Sequence, residues 1–314
     1  MNATEVTRLP VSELPVQRFL AEYVENNRPV IVTGALEEWD IAGAWTPAAL
    51  EKRFGKQLVQ VYNNYFDLQT LTPLKRYLSE NFGKDGLAAT GQLPYVRWYT
   101  KLRDSDFYWA DDVFSELQSQ WRLPTFLPNS SYLLPFAPAG TTISPVADHF
   151  PARGLFISPR GARTSLHVDP WGSCAALCQL YGSKRWYFYA PGQRKYLESD
   201  FGVVDVTRPD SAKFPAFSLS QLTATCTLRA GEVIYVPHGW YHQVECDSDS
   251  ISLTWNFVHE TTVSTYLGWL TESEISEFDQ SVLRFFYGIP AGGDVVEQVL
   301  TRLRGRSISS WLVA

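Results

Sequence analysis

Apolar positions along the chain recur first with a helical period, then with a strand period, and finally with a helical period again. Between residues 14 and 27, Phe19, Leu20, Tyr23 and Val24 fall on one helical face, and Pro29 stops that helix before the β-rich run Val30-Ile31-Val32-Thr33-Gly34. Thr46-Pro47 and Thr72-Pro73 each read as an N-cap followed by proline at the first helical position, with Gly55 and Gly83 closing two short helices. Leu58 to Tyr62 and Tyr95 to Tyr99 read as strands, so the first 120 residues are mixed α/β. From Arg122 to Pro159, prolines 124, 128, 135, 138, 145, 151 and 159 interrupt any period, and the stretch is expected to be a covering loop.

Short strands follow: Leu155 to Ser158, Thr164 to Asp169, Ala176 to Tyr181, Arg185 to Tyr189, Thr225 to Leu228, Val233 to Val236, Tyr241 to Glu245 and Ile251 to Val258. Eight such strands separated by turn residues predict a mainly β fold, a jelly roll or barrel. Helical spacing returns in Tyr266, Leu267 and Leu270, in Ile275, Phe278, Val282 and Phe286, and in Val295, Val296, Val299 and Leu303. This tail, residues 261–314, is expected to pack on the barrel or on a second copy, leaving residues 1–260 as the main unit.

Composition narrows the class. A chain of 314 residues, 45% hydrophobic and 19% charged, is long enough for one large or two ordinary domains with a sizeable core. Its net charge of −6 gives no support to a nucleic-acid binder, which would need basic surface to neutralise phosphates. No stretch approaches the ~20 apolar residues that cross a bilayer, so no membrane role is expected and the cytoplasm is the expected location. Cys174, Cys178, Cys226 and Cys246 are too scattered for a disulfide framework and are expected to be buried thiols. No further ligands lie near Cys174 and Cys178 to make a zinc site.

Histidine is scarce, with five in all, and two sit in unusual company. In Thr164-Ser165-Leu166-His167-Val168-Asp169, an imidazole and a carboxylate two residues apart project from one face of a strand. In Gly231 to His242, a strand and a Pro-His-Gly turn deliver another imidazole 75 residues after His167. If the two strands are adjacent, His167, Asp169 and His242 meet on one side of a metal. That facial triad leaves open coordination positions and suits non-haem Fe(II). His238 is expected on the rim of the turn. His149, beside Asp148 in the covering loop, faces either substrate or water, and His259 has no partner in sequence.

Both segments resemble the two characteristic stretches of the cupin superfamily: Gly161, five residues, His167-x-Asp169; and Gly231, five residues, Pro237-x-Gly239-x-x-His242. Asp169 replaces the second histidine of many cupins, and neither Ser173 nor Cys174 supplies their glutamate, so the three-histidine, one-glutamate site is excluded. The likeness narrows further. Asn27 to Gly34 with Trp39, Gly182-Ser183-Lys184-Arg185-Trp186 with Pro191, and Thr254-Trp255-Asn256-Phe257 stand around the two motifs in an order similar to the small hydroxylase branch of Jumonji C (JmjC) oxygenases. That resemblance implies a double-stranded β-helix as the catalytic unit. It also implies Fe(II), 2-oxoglutarate and dioxygen as cofactor and cosubstrates, and hydroxylation of a side chain in a peptide or protein. Lysine demethylation, a small-molecule substrate and a non-catalytic binding module are the alternatives, and dimerisation through the tail helices is suggested by analogy.

A bound 2-oxo acid needs a cation for its distal carboxylate. Lys184 is that candidate, because it opens an apolar strand where an unpaired ammonium would be costly to bury. Arg185 points to the opposite face and is expected to be solvated. Thr164 matches the family's hydroxyl on the same carboxylate or is an ordinary strand threonine. Asn256 matches an asparagine near the cosubstrate or is a buried amide bonded to neighbouring backbone. Ser173 stands where some relatives have a further asparagine, which shortens or removes that contact. Tyr99 is a candidate phenol for the cosubstrate, with Trp98 an equal competitor. Trp171, Trp186, Trp240 and Tyr241 are candidates for an apolar wall, with core packing the favoured role of each taken singly.

Overall fold

The computed structural model describes residues 3–84, 93–99, 113, 115–117, 120, 122–137, 140–144, 154–272 and 274–306. Asp148 and His149 lie outside these residues.

Eight strands, Gly154–Ser158, Arg163–His167, Cys174–Tyr181, Ser183–Tyr189, Ala224–Arg229, Val233–Val236, Tyr241–Cys246 and Ser250–His259, form the double-stranded β-helix. They divide four and four between two sheets. The smaller sheet has the order Ala224–Arg229, Ser183–Tyr189, Tyr241–Cys246, Arg163–His167; the larger runs Val233–Val236, Cys174–Tyr181, Ser250–His259, Gly154–Ser158. Apart from the hairpin-like step from Ser183–Tyr189 to Ala224–Arg229, each strand hands the chain to the other sheet, so the inner faces close on one another. Gly182 makes one of these crossings at φ +70, where a Cβ would lie 1.9 Å from the Asp249 carbonyl oxygen. Only glycine fits such a turn.

The amino-terminal part extends the larger sheet on both edges. Val30–Thr33 pairs with Val233–Val236 on one side, while Tyr95–Tyr99, Leu58–Tyr62 and Leu68–Pro73 continue from Gly154–Ser158 on the other. The large core lies between this sheet and the amino-terminal helices, with Phe19, Trp45, Trp98, Tyr235 and Trp255 buried in it. Thr46 caps Pro47–Phe54 by accepting from the Ala49 N–H, as its sequence predicts. Thr72-Pro73 differs from expectation. Both residues complete the strand Leu68–Pro73, and the helix Leu74–Asn81 starts after them without a side-chain cap. The helix expected over 14–27 is Val16–Phe19 followed by a π-helical turn, Leu20–Val24.

Among its described residues the proline-rich stretch contains a strand and core residues. Tyr132–Leu134 is a buried strand pairing with the end of Ser250–His259, and Phe126 and Leu127 enter the core. A strand of ten residues projects past its neighbours, and its unpaired backbone groups recruit this short partner.

Helices Val263–Glu272, Glu277–Tyr287 and Val295–Arg304 form the carboxy-terminal cap. Ser276 and Asp294 cap two of them by accepting backbone N–H groups, and Gly288 ends the second at φ +61. Helices of this length are marginal alone. Val282, Leu283, Tyr287, Val299 and Leu303 bury their side chains in one cluster with Trp171, Leu133 and Val258, and burial at about 1.5–3 kcal/mol per large apolar side chain holds the cap on the barrel. Among the described residues no helix is long and apolar enough to cross a membrane. All four cysteines are buried and free.

Candidate metal centre

His242 on Tyr241–Cys246 is the direct cross-strand partner of His167 on Arg163–His167. Their rings sit 4.2 Å apart between centroids. Asp169 lies just past the end of its strand, and one ligand atom from each of His167, Asp169 and His242 falls within 4.8 Å of the others. The register slips by one residue between His242 and Val244, so the His167 strand carries a bulge. Simple alternation would put Thr164 and His167, three residues apart, on opposite faces. The bulge turns both into the same cavity.

Each imidazole is oriented from behind. His167 Nδ1 donates to the Ser165 carbonyl at 2.8 Å and His242 Nδ1 to the Trp240 carbonyl at 3.1 Å, which leaves Nε2 of each ring with its lone pair. Burial, followed by neighbouring His242, holds His167 well below its ordinary 6.5, so the ring is neutral. Asp169 Oδ2 is buried with no hydrogen-bond partner among the described residues. A buried carboxylate oxygen left unmatched is costly. Two imidazole nitrogens and an unmatched carboxylate oxygen at this separation fit a divalent cation in facial geometry.

The cavity has a volume of about 600 Å³. Lys184, 4% exposed, donates from Nζ to Ser252 Oγ at 2.7 Å, and burial pushes its pKa down. Among the described residues no carboxylate lies within ion-pair reach of it, so an incoming carboxylate would meet a desolvated ammonium. Thr164 and Asn256 also line the cavity, and Asn256 Nδ2 donates to Ser173 Oγ at 3.1 Å, which in turn donates to the Pro170 carbonyl. The contact expected to be shortened at Ser173 is thus a side-chain anchor for Asn256. Arg185 is half exposed and pairs with Asp247, away from the cavity. Tyr99 pairs with Gly154 in the sheet, but its side chain lies outside the described residues. Trp98 is a core residue packed edge-on against Phe54 and does not line the cavity. His238, partly buried, is not brought to the triad.

Of the four candidate wall aromatics, two face the cavity. Trp186 stacks on His242 at 5.6 Å, and Trp171, at φ +61, donates its indole N–H to Asp279 of the second cap helix at 2.6 Å. Trp240 bonds to the Asn27 carbonyl, and Tyr241 bonds to Glu198 on the outer face, where strand alternation turns it from its neighbour His242.

Sequence reading missed the other aromatic and charged lining residues: Tyr62, Phe66, Arg97, Phe156 and Phe278. Phe66 sits at the tip of the hairpin joining Leu58–Tyr62 to Leu68–Pro73, at φ +68, with its ring 5.1 Å from that of His167. A bulky residue in the left-handed region carries strain of order 1–3 kcal/mol, which the surroundings must impose. They do so here through Asn63, whose Oδ1 accepts the Tyr65 and Asp67 N–H groups. Asn64 Nδ2 donates to Ser165 Oγ, and the Asn64 backbone carbonyl accepts from Ser165 N–H. The hairpin tip is therefore clamped to the residue whose carbonyl orients His167. One signal was available: a basic residue inside the apolar strand Tyr95–Tyr99 marks Arg97 as unusual.

A family model described as a cupin-like domain matches residues 16–263. The chain is similar to the bifunctional peptidase and (3S)-lysyl hydroxylase JMJD7 of Homo sapiens, 27% identical over 269 residues, covering 75% of this chain and 78% of that protein. It is 28% identical over 258 residues to the lysine-specific demethylase JMJ21 of Arabidopsis thaliana, covering 79% of this chain and 25% of that protein. It is 34% identical over 117 residues to the 2-oxoglutarate and iron-dependent oxygenase JMJD4 of Gallus gallus, covering 36% of this chain and 28% of that protein. The aligned part thus spans only about a quarter of the length of the last two relatives.

Proposed function

Because the chain belongs to the cupin-like domain family, in its Jumonji C oxygenase branch, we propose that it is an Fe(II)- and 2-oxoglutarate-dependent dioxygenase that hydroxylates a side chain of a peptide or protein. The observation that carries this reading is the convergence of His167, Asp169 and His242 with an unmatched Asp169 oxygen, opposite a buried Lys184 in the same cavity. Iron and 2-oxoglutarate, when bound, supply the oxidising power: dioxygen is split between the hydroxylated product and succinate, with release of carbon dioxide.

The chain's own residues bind, orient and exclude water. His167, Asp169 and His242 would hold the metal on one side, and the carbonyls of Ser165 and Trp240 fix the two imidazole tautomers. Lys184 and Thr164 would hold the distal carboxylate of the cosubstrate, with Asn256 steadied beside it by Ser173. Trp186, Trp171 and Phe66 wall the reacting centre from bulk solvent.

A protein or peptide substrate is supported by the relatives named as lysyl hydroxylase and demethylase. The cytoplasm is the proposed location, supported by four buried, free thiols, which persist in a reducing compartment. The test is incubation of the chain with Fe(II), ascorbate and 2-oxoglutarate, with and without candidate peptides, reading succinate and peptide mass. Metal-dependent succinate that disappears in His167→Ala is expected. Absence of metal uptake and of succinate with every peptide would instead leave a non-catalytic binding module.

A further inference from the structure

Arg97 gives the cavity a second cation: Phe156 is flanked in the sheet by Arg97 on one side and, on the other, by Ser252, which accepts the hydrogen bond of Lys184. Arg97 is the direct cross-strand neighbour of Phe156. Its guanidinium carbon stands 4.5 Å from the centre of the Phe66 ring, 5.5 Å from Tyr62 and 5.6 Å from Phe156. Lys184 Nζ stands 5.6 Å from that same Phe156 ring. Three rings hold the Arg97 guanidinium in the wall that also carries Phe66 against His167.

The charges around the centre then decide what can enter. Ferrous iron and the Lys184 ammonium together match the Asp169 carboxylate and the two carboxylates of 2-oxoglutarate. Asp169 is the one carboxylate among the described lining residues, and the metal would use it. A lysine ammonium or methylated guanidinium entering the cavity would be placed beside Arg97 with no described acidic side chain to receive it. A carboxylate or an amide oxygen would meet a donor. A guanidinium offers five N–H donors in a planar fork, so a contact within the fold and a contact to a ligand can be made together.

We propose that Arg97 is the specificity-determining residue of this cavity and that it selects a substrate group with an anionic or amide oxygen, a carboxylate foremost, over a cationic side chain. This rests on the oxygenase reading and names the substrate class of the same site. It differs from the lysine chemistry in the relatives' names.

The test uses the full chain loaded with Mn(II), a redox-silent stand-in for iron, and 2-oxoglutarate. Binding is followed by calorimetry with end-blocked peptides that differ only in a central Asp, Asn, Lys or dimethylarginine. A fifth peptide with a neutral centre and a free carboxy terminus distinguishes a side-chain carboxylate from a chain end. The Asp peptide, or the free-terminus peptide if the anion is a chain end, is expected to bind at least about tenfold tighter than the Lys peptide. Arg97→Gln is expected to flatten that preference and Arg97→Glu to reverse it, with Mn(II) uptake unchanged in both as the check on folding. Equal or tighter binding of Lys or dimethylarginine peptides by the wild type overturns the proposal, as does a preference unmoved in Arg97→Glu. So does an Arg97→Gln variant that weakens 2-oxoglutarate as much as Lys184→Ala does, which would make Arg97 a cosubstrate ligand. Wild-type protein that takes up no 2-oxoglutarate overturns the oxygenase reading and this proposal with it; uptake without charge preference overturns this proposal alone.

Discussion

The two walls of the cavity are built from different parts of the chain and by different physics. One wall belongs to the β-helix itself: His167, Asp169, His242, Lys184, Thr164 and Asn256, all carried by strands of the eight-stranded unit or by the residues just past them. It carries the polar groups, beside Trp186 and Phe156 of the same strands, and His167, His242, Lys184 and Asn256 are each aimed by a backbone carbonyl or a hydroxyl. The other wall is brought in from outside: Tyr62 and Phe66 from the amino-terminal hairpin, Arg97 from the adjoining strand, Phe278 from the carboxy-terminal cap. It is mostly aromatic, and Phe278 is 61% exposed at its edge. The contrast teaches that chemistry and selectivity are separable here. A strand ladder sets ligand positions to within a hydrogen bond, whereas appended elements are free to change what the cavity admits.

The separation predicts where substitutions act. The largest effect is expected at the polar wall: His242→Ala or Asp169→Ala removes a metal ligand and should lower metal affinity and succinate formation by at least about a thousandfold, more than the 10–100-fold typical of residues behind the ligands. Calorimetry with Mn(II) and succinate assays check both. If Asp169→Ala still bound metal as tightly as wild type, the polar wall would not be the metal wall.

Lys184→Met should raise the KM for 2-oxoglutarate by about a hundredfold, the scale of a truncated buried charge pair. Yet without cosubstrate the variant should melt no lower than wild type, because the buried ammonium costs desolvation that only a bound carboxylate offsets. Thermal scans with and without 2-oxoglutarate separate the two effects.

At the appended wall the pattern should invert. Phe66→Gly is expected to leave the KM for 2-oxoglutarate within about twofold and to lose roughly tenfold in peptide-coupled turnover. Its stability should change by no more than about 1 kcal/mol, because relief of strain at φ +68 offsets the lost packing of the ring against His167 and Arg97. Chemical denaturation and the ratio of hydroxylated peptide to succinate are the measurements. A matching loss in cosubstrate affinity would merge the two walls into one.

The smallest effect concerns His259, where the β-helix passes into the cap. Burial pushes its pKa down to about 4, against an ordinary 6.5. Between those values the unfolded chain binds a proton that the folded chain does not, so this group makes stability rise with pH across that window. His259→Gln should flatten the dependence of the denaturation midpoint on pH there while leaving metal uptake unchanged, which urea titrations at several pH values would show.

Legibility in sequence followed the same division. The polar wall could be read because its parts are local: His167 and Asp169 two residues apart on a strand, His242 behind a proline-glycine turn, Lys184 opening an apolar run. Even there Thr164 needed the bulge, since alternation alone turns it away from His167. Trp240 and Tyr241 take the core-packing role that the sequence favoured for such aromatics, because an aromatic next to a ligand is as suited to the outer packing layer as to the cavity. Thr72-Pro73 looked like a helix start, but pairing with Leu58 and Val59 claimed it for a strand.

By itself, then, the sequence determined the β-helix, the identity of the three side chains that converge and the buried lysine. Residue chemistry and short spacings on a strand are local properties that survive whatever the rest of the chain does. Only the tertiary structure decided that Phe66, Arg97 and Phe278 share a cavity with His167. They come from a hairpin, a sheet edge and a cap whose meeting depends on strand register and packing over the whole molecule. No short stretch of sequence encodes that register.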